Sequence, residues 1–342
     1  MDTKTKYKIS FCTVCMNRLD FLKQTLPKNI EDNLAYGNIE FVVLNYNSKD
    51  EIDQWMNTEM SHYIELGILK YIKTIEPEYF LMSHSKNVVS KQASGDVICN
   101  VDADNFIGKG FAEFINDSFI KDQNIYLSVE ENTQRDCCGR ICLKRDDFAL
   151  LRGYDESMKG YGYEDFDLRN RLELLGRKVV LFPKEKFLNA LTHSDVERLK
   201  NEYNNIEIKH IYINYSTPSI SELVYCFKDN KAYAGIVIDN TTLNSDCVDN
   251  LFIANKTFKF KYVLCGNDWK LGEYISSSKV VFKDGDISLA PNSGYVEVSD
   301  QVCCSNLVMF FSQMSNRIKM ENNLSKKRII VNQESYGNTC FE

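Results

Sequence analysis

The sequence predicts an α/β fold, with a mostly parallel sheet and crossover helices over residues 1–214 and a second, smaller α/β domain over residues 215–342. Short apolar, β-branched runs alternate with helical patterns from residue 8 onward, and such alternation implies right-handed crossovers between parallel strands. With 342 residues, 44% of them apolar, the chain is also longer than a single core usually serves.

Lys8 to Cys15 reads as the first strand, after which Asn17-Arg18-Leu19-Asp20 opens a helix through Phe21, Leu22 and Leu26. Further strands are expected at Ile39 to Leu44, Leu69 to Ile72 and Asp96 to Val101, with helices near Glu51 to Leu66 and Ser85 to Ala93. Ile125 to Val129, Arg140 to Leu143 and Val179 to Phe182 continue the strands, and Phe166 to Leu175 is a helix stopped at Gly176. A charged helix from Asp195 to His210 precedes the domain boundary, set before Pro218. Strand-like runs at Gly235 to Ile238, Tyr262 to Cys265, Val280 to Phe282 and Ile329 to Val331 make up the second domain.

Forty-one basic and 48 acidic side chains give a net charge of −7, so no broad positive field gathers nucleic acid or anionic lipid. The polar start and the absence of a run of roughly 18 apolar residues predict a cytoplasmic protein without a transmembrane segment, with peripheral attachment to the inner face of the membrane left open. Its 12 cysteines are scattered and are expected to be reduced. No glycine-rich phosphate fingerprint is present.

In an open parallel sheet ligands collect at the carboxyl ends of the strands. There the buried strand Val97 to Val101 runs into Asp102-Ala103-Asp104. Carboxylates two residues apart on an extended backbone face one side, so both are candidate ligands of a hard divalent ion. Gly160-Tyr161-Gly162-Tyr163-Glu164-Asp165 combines a permissive backbone, two aromatic faces for a sugar ring, and two acids at a helix mouth. A carboxylate there is a candidate general base toward an attacking hydroxyl. His193 is a further candidate metal ligand.

Together these motifs resemble the GT-A glycosyltransferases, a Rossmann-like group, and within them the family-two-like enzymes of the β-1,4-galactosyltransferase and chondroitin-polymerase types. The resemblance covers about residues 7–195. Thr13 with Asn17 and Arg18 is similar to the family's nucleotide-contacting strand and loop. Asn45, Asn47 and Asp50 fall in the turn beside the base, and Ser85-Lys86-Asn87 resembles the Ala-Arg-Asn helix start near the diphosphate.

The resemblance implies Mn2+ or Mg2+ held by Asp102, Asp104 and His193, with Asp102 also near the ribose. It further implies Asp165 as catalytic base, Glu164 as a second catalytic group and acceptor contact, and Tyr161 and Tyr163 as acceptor contacts. The implied reaction is inverting transfer of galactose, N-acetylhexosamine or a similar sugar from a UDP-sugar to a glycan or glycolipid acceptor, in surface polysaccharide or glycoconjugate synthesis. Alternatives are a retaining transferase, a sugar-1-phosphate nucleotidyltransferase, or a nucleotide-sugar or carbohydrate binder without turnover. The tail resembles nothing nameable; packing, homo-oligomerisation and acceptor binding are its candidate roles.

Overall fold

The strand β1 (Ile9–Cys15) lies at the heart of a parallel sheet, and its apolar run follows from burial on both faces. It belongs to a computed structural model that describes residues 6–130, 133, 135–217, 220–239 and 262–342. On one side it pairs in parallel with β2 (Ile39–Tyr46), which pairs in parallel with β3 (Leu69–Thr74). On the other it pairs in parallel with β4 (Val97–Asn100). After the short β5 (Asn105–Phe106) come β6 (Ile125–Ser128), β7 (Cys142–Lys144) and β8 (Lys178–Leu181), and the sheet order is β3-β2-β1-β4-β7-β6-β8. Strand β7 runs antiparallel to β4, with Cys99 opposite Cys142. The residues just before β7 therefore lie beside the carboxyl end of β4.

Alternation sorts the side chains of this sheet into two cores. Ile9, Phe11, Phe41 and Val43 pack with Phe111 and Phe119, while Cys12, Val42 and Leu44 pack with Val88, Leu168 and Leu172. The covering helices include α1 (Leu19–Asn33), α2 (Ile52–Thr58), α3 (Ser61–Glu65), α4 (Met82–Lys91), α5 (Phe111–Lys121), α6 (Arg145–Leu151) and α7 (Glu164–Leu174). Beyond the short α8 (Lys184–Phe187), β9 (Asn189–Ala190) pairs antiparallel with β5 as a separate two-stranded ribbon. The mixed α/β architecture with a mostly parallel sheet is as the sequence predicts.

Two compact units divide the chain differently from the expected boundary at 214. The first comprises Met1–Lys159, Tyr163–His193 and Met320–Glu342, and the second Gly160–Gly162 and Ser194–Lys319. The expected helix from Asp195 to His210 is two short helices, α9 (Asp195–Leu199) and α10 (Tyr203–Glu207), and position 214 falls inside the strand β10 (Ile208–Thr217). Pro218, before which the boundary is expected, lies outside the described residues.

The second unit is an antiparallel sheet rather than an alternating α/β array. It contains β10, β11 (Ile220–Phe227), β12 (Lys231–Asp239), β13 (Tyr262–Ser276), β14 (Lys279–Phe282), β15 (Gly285–Ser288) and β16 (Tyr295–Glu297). Their order is β15-β14-β13-β12-β11-β10-β16, with α11 (Gln301–Ser325) following in sequence. Phe310 and Phe311 of that helix pack against the rings of Tyr225, Phe227, Tyr233 and Trp269. Ile329 to Val331, expected as a strand, is irregular. No helix among the described residues is long and apolar enough to cross a membrane, and no disulfide joins the described cysteines.

Candidate active site

Strand β4 ends at Asn100, and the chain then turns, with the Asn105 N–H donating to the Asp102 carbonyl at 3.0 Å. The two acids are consequently not on one extended face, and they go to different partners. Asp102 Oδ1 accepts from Asn100 Nδ2 at 3.1 Å, whereas Asp104 Oδ2 meets His193 Nε2 at 2.8 Å. Asp104 Oδ1 accepts from Asn105 Nδ2 at 2.7 Å. Among the described residues no group of three His, Cys, Asp or Glu side chains converges as a metal site. The expectation of Asp102, Asp104 and His193 as one ligand set thus reduces to the Asp104–His193 pair, and Asp102 belongs to a second cluster.

Lys86 forms the centre of that cluster. Projecting from the buried face of α4, its ammonium donates to Glu164 Oε1 at 3.0 Å and Asp165 Oδ1 at 2.8 Å, and it lies 5.1 Å from the centre of the Tyr154 ring. Glu164 and Asp165 open α7, with Tyr163 as its N-cap residue at φ 69°. Gly139 closes the group: a Cβ there would fall 2.9 Å from Asp102 Oδ2 and 3.2 Å from Asp165 Oδ2. Sequence reasoning passed over this glycine, and only its place just before the strand paired to β4 signals it.

One buried and two half-buried carboxylates surround one buried cation. Burial works against the Lys86 charge, but Asp165 and Glu164 outweigh it and hold the ammonium well above its ordinary value. One ammonium cannot neutralise three acids, so burial pushes Asp165 well above the usual carboxylate range despite the attraction of Lys86. The same burial raises Asp102, opposed by Lys86.

The residues expected to meet a nucleotide divide into two sets. Asn17, Ser48, Lys49 and Asp50 join the loops after β1 and β2: the Asn17 N–H donates to Ser48 Oγ at 2.6 Å, the Lys49 N–H to Asn17 Oδ1 at 2.7 Å, and the Leu19 N–H to Asp50 Oδ2 at 3.1 Å. Asn17 and Asn47 both take left-handed backbone, φ 55° and 53°, which asparagine tolerates better than most side chains. Arg18 lies over the Phe21 ring, and that ring packs against His193. Thr13 is buried on β1.

Asn45 and Asn87, by contrast, spend their amides inside the protein. Asn45 Nδ2 donates to Asp53 Oδ1 and the Tyr71 hydroxyl, while its Oδ1 accepts from the Ser48 N–H. Asn87 brackets Tyr154, donating to its carbonyl and accepting from its N–H, and donates also to Glu156. Both are fully buried, so neither is placed to contact a nucleotide, and Lys86 is turned toward the acids.

The expected acceptor segment is shared between the units, since Gly160–Gly162 belongs to the second and Tyr163 onward to the first. Tyr161 sits under Arg198, whose guanidinium carbon is 5.3 Å from the ring centre. Tyr163 is buried and offers no open face to a sugar ring. Its left-handed backbone is the conformation glycine adopts most readily.

Several solved structures are similar to part of this chain. A mannosyltransferase, PcManGT from Pyrobaculum calidifontis in complex with GDP-Man and Mn2+, is 16% identical with a TM-score of 0.47, over 58% of this chain and 62% of that one. Staphylococcus aureus TarS in complex with UDP is 14% identical with a TM-score of 0.46, over 56% and 62%. The catalytic domain of Drosophila β1,4-galactosyltransferase 7 in complex with xylobiose is 16% identical with a TM-score of 0.39, over 57% and 74%. The chain thus spans less than two thirds of the first two. No curated protein matches the chain. A family model described as the N-terminal domain of galactosyltransferase matches residues 127–207, the stretch that carries Gly139, the two acids of α7 and His193. Over that segment the resemblance to the galactosyltransferase group, read from the motifs, is borne out.

Proposed function

We propose that this chain is a metal-dependent inverting glycosyltransferase that moves a sugar from a UDP-sugar to a hydroxyl of an acceptor glycan or glycolipid. The observation that carries the proposal is the pairing of Lys86 with Glu164 and Asp165 beside the carboxyl end of β4, next to the Asp104–His193 contact. A sugar hydroxyl must lose its proton as it attacks, and a base works best when its pKa lies near the operating pH. Asp165 is pushed in that direction. Glu164 Oε2 is buried with no protein partner and is suited to accept from a second hydroxyl of the same sugar.

The Asp104–His193 pair fits a divalent ion. Asp104 Oδ2 and His193 Nε2, 2.8 Å apart, are the atoms that would hold it. An oxygen–imidazole donor set suits manganese. Such an ion, when bound, neutralises the leaving diphosphate. Asp104 and His193 would hold it, the loops carrying Asn17 and Asp50 would flank the nucleotide, and Asp165 would take the acceptor proton.

The test is a panel of UDP-sugars assayed for hydrolysis and transfer with and without Mn2+, in wild type and in the variants Asp104→Ala and His193→Ala. Metal-dependent turnover lost in both variants supports the reading. Binding of a UDP-sugar with no hydrolysis or transfer, or turnover indifferent to both variants, rejects it.

A further inference from the structure

Arg140 is buried to 1% exposure, and its hydrogen bonds go to neutral oxygens rather than carboxylates. A buried cation is costly to keep unless its donors are well used. One arm donates to the Phe187 carbonyl, two residues before β9; the other donates to the Phe106 carbonyl on β5 at 3.2 Å and to Asn105 Oδ1 at 2.6 Å. The guanidinium therefore ties strand β5 to the end of α8, the helix that leads directly into β9. The β5–β9 ribbon delivers both members of the candidate metal pair, since Asp104 immediately precedes β5 and His193 lies three residues past Ala190, its last residue. The Leu191 N–H donates back to the Asp104 carbonyl at 2.9 Å, so the ribbon's pairing continues to the backbone of Asp104 itself.

Asn105 passes the constraint on to the carboxylate. A guanidinium only donates, so the amide must present Oδ1 to Arg140, and this fixes Nδ2 toward Asp104 Oδ1 at 2.7 Å and the Asp136 carbonyl at 2.8 Å. With Oδ1 of Asp104 held in this way, Oδ2 is left to face His193. We infer that Arg140, acting through Asn105 and the β5–β9 ribbon, is the positioning residue that sets Asp104 and His193 as a pair of ligands for a divalent ion. The inference rests on the metal reading above and extends it to two residues that touch neither donor nor acceptor in that reading. Lysine cannot replace the arginine, because a single ammonium lacks the planar fork that reaches three acceptors on β5 and α8.

The experiment measures Mn2+ binding directly, by loss of the free-ion electron paramagnetic resonance signal as protein is titrated in the presence of UDP. It uses the full chain, with no turnover required. Arg140→Lys and Asn105→Ala are compared with wild type and with Asn33→Ala, which removes a buried amide bonded to Asn29, Gly108 and Ala112 and not to Asp104, Asn105, Arg140 or His193. Loss of an orienting partner of a metal ligand typically costs about 10–100-fold in affinity, and that loss is expected in the two ribbon variants. UDP binding without metal should be unchanged in them, and Asn33→Ala should lose thermal stability but keep its Mn2+ affinity. Arg140→Lys keeps the buried positive charge and so serves as the better-folding variant should Asn105→Ala not fold. Wild-type Mn2+ affinity in folded Arg140→Lys overturns this inference and leaves the metal reading standing; failure of wild type to bind Mn2+ overturns both.

Discussion

Glu202 offers a test of how the second unit holds its part of the Gly160–Asp165 segment. Its carboxylate is buried, accepts from the Asn205 N–H at 2.8 Å and from Ser312 Oγ at 3.3 Å, and lies so close to Gly160 that a Cβ there would collide with it. Burial pushes the group up to about 7, against the Asn205, Ser312, Asn204 and Tyr161 donors that favour the ionised form. From the ordinary 4.5 to about 7 is worth about 3 kcal/mol, at roughly 1.4 kcal/mol per pH unit. The folded value lies above the unfolded one, so between these two values the folded chain keeps a proton that the unfolded chain has released. The resulting stabilisation is fully present below about pH 4.5 and is lost as pH rises through about 7. Glu202→Gln cannot ionise and should remove this slope, leaving the variant relatively more stable at pH 8 than at pH 5. The two tryptophans are Trp55 and Trp269, and Trp269 donates to Ser315 on the same helix that carries Ser312. In a Trp55→Phe background, urea unfolding followed by tryptophan emission across pH 4.5–8 therefore reports on this unit. A wild-type profile flat over that range, or a glutamine variant with the same slope, would refute the argument.

Four variants of the first unit have expected outcomes. Asp165→Asn should lower kcat by about 10²–10⁴-fold at saturating donor while Mn2+ and UDP affinities hold; Glu164→Gln should chiefly raise the acceptor KM. Lys86→Met strands the carboxylates around it and should cost about 3–5 kcal/mol at neutral pH. Because those acids are then relieved only by protonation, the deficit in thermal stability should be larger at pH 8 than at pH 5, and an equal deficit at both would count against the cluster. Gly139→Ala places a methyl against Asp102 and Asp165 and should depress kcat far more than it shifts the melting temperature, as paired kinetic and calorimetric measurements would show.

The parallel sheet was legible because strands buried on both faces read as unbroken apolar runs, and β1 and β2 are of that kind. The second unit was harder to read. Residues 208–217, Ile-Lys-His-Ile-Tyr-Ile-Asn-Tyr-Ser-Thr, carry the β-branched and aromatic content of a strand, but the charged helical pattern before them masked the break between α9 and α10. The site was legible as a set of residue types and not as a geometry. Asp102 and Asp104 read as neighbours only if the backbone stays extended, and the turn that separates them depends on Asn105 and the ribbon, whose two strands are more than 80 residues apart in sequence. Asn45, in the turn beside the base, and Asn87, at the helix start near the diphosphate, resemble nucleotide contacts, and their burial reflects partners that no local spacing reveals.

The charges of the first unit carry a consequence for how donor and ion would bind. A diphosphate brought to the carboxyl end of β4 meets Asp102, Asp104, Glu164 and Asp165, and the ammonium nearest to these acids is already engaged by two of them. If Lys86 turned to the phosphates, as the Ala-Arg-Asn resemblance implies, it would abandon Glu164 and Asp165, at a cost on the order of a broken buried ion pair. The same movement would draw Asp165 further from its ionised form, just when the reaction needs a base. In the proposed reaction the positive charge that meets the leaving diphosphate is therefore better drawn from an ion on Asp104 and His193, with Lys86 kept for the acids of α7. This division of labour would make donor and ion binding mutually dependent: without the ion, the donor's negative charges would face a site whose nearest ammonium is already committed to its own acids.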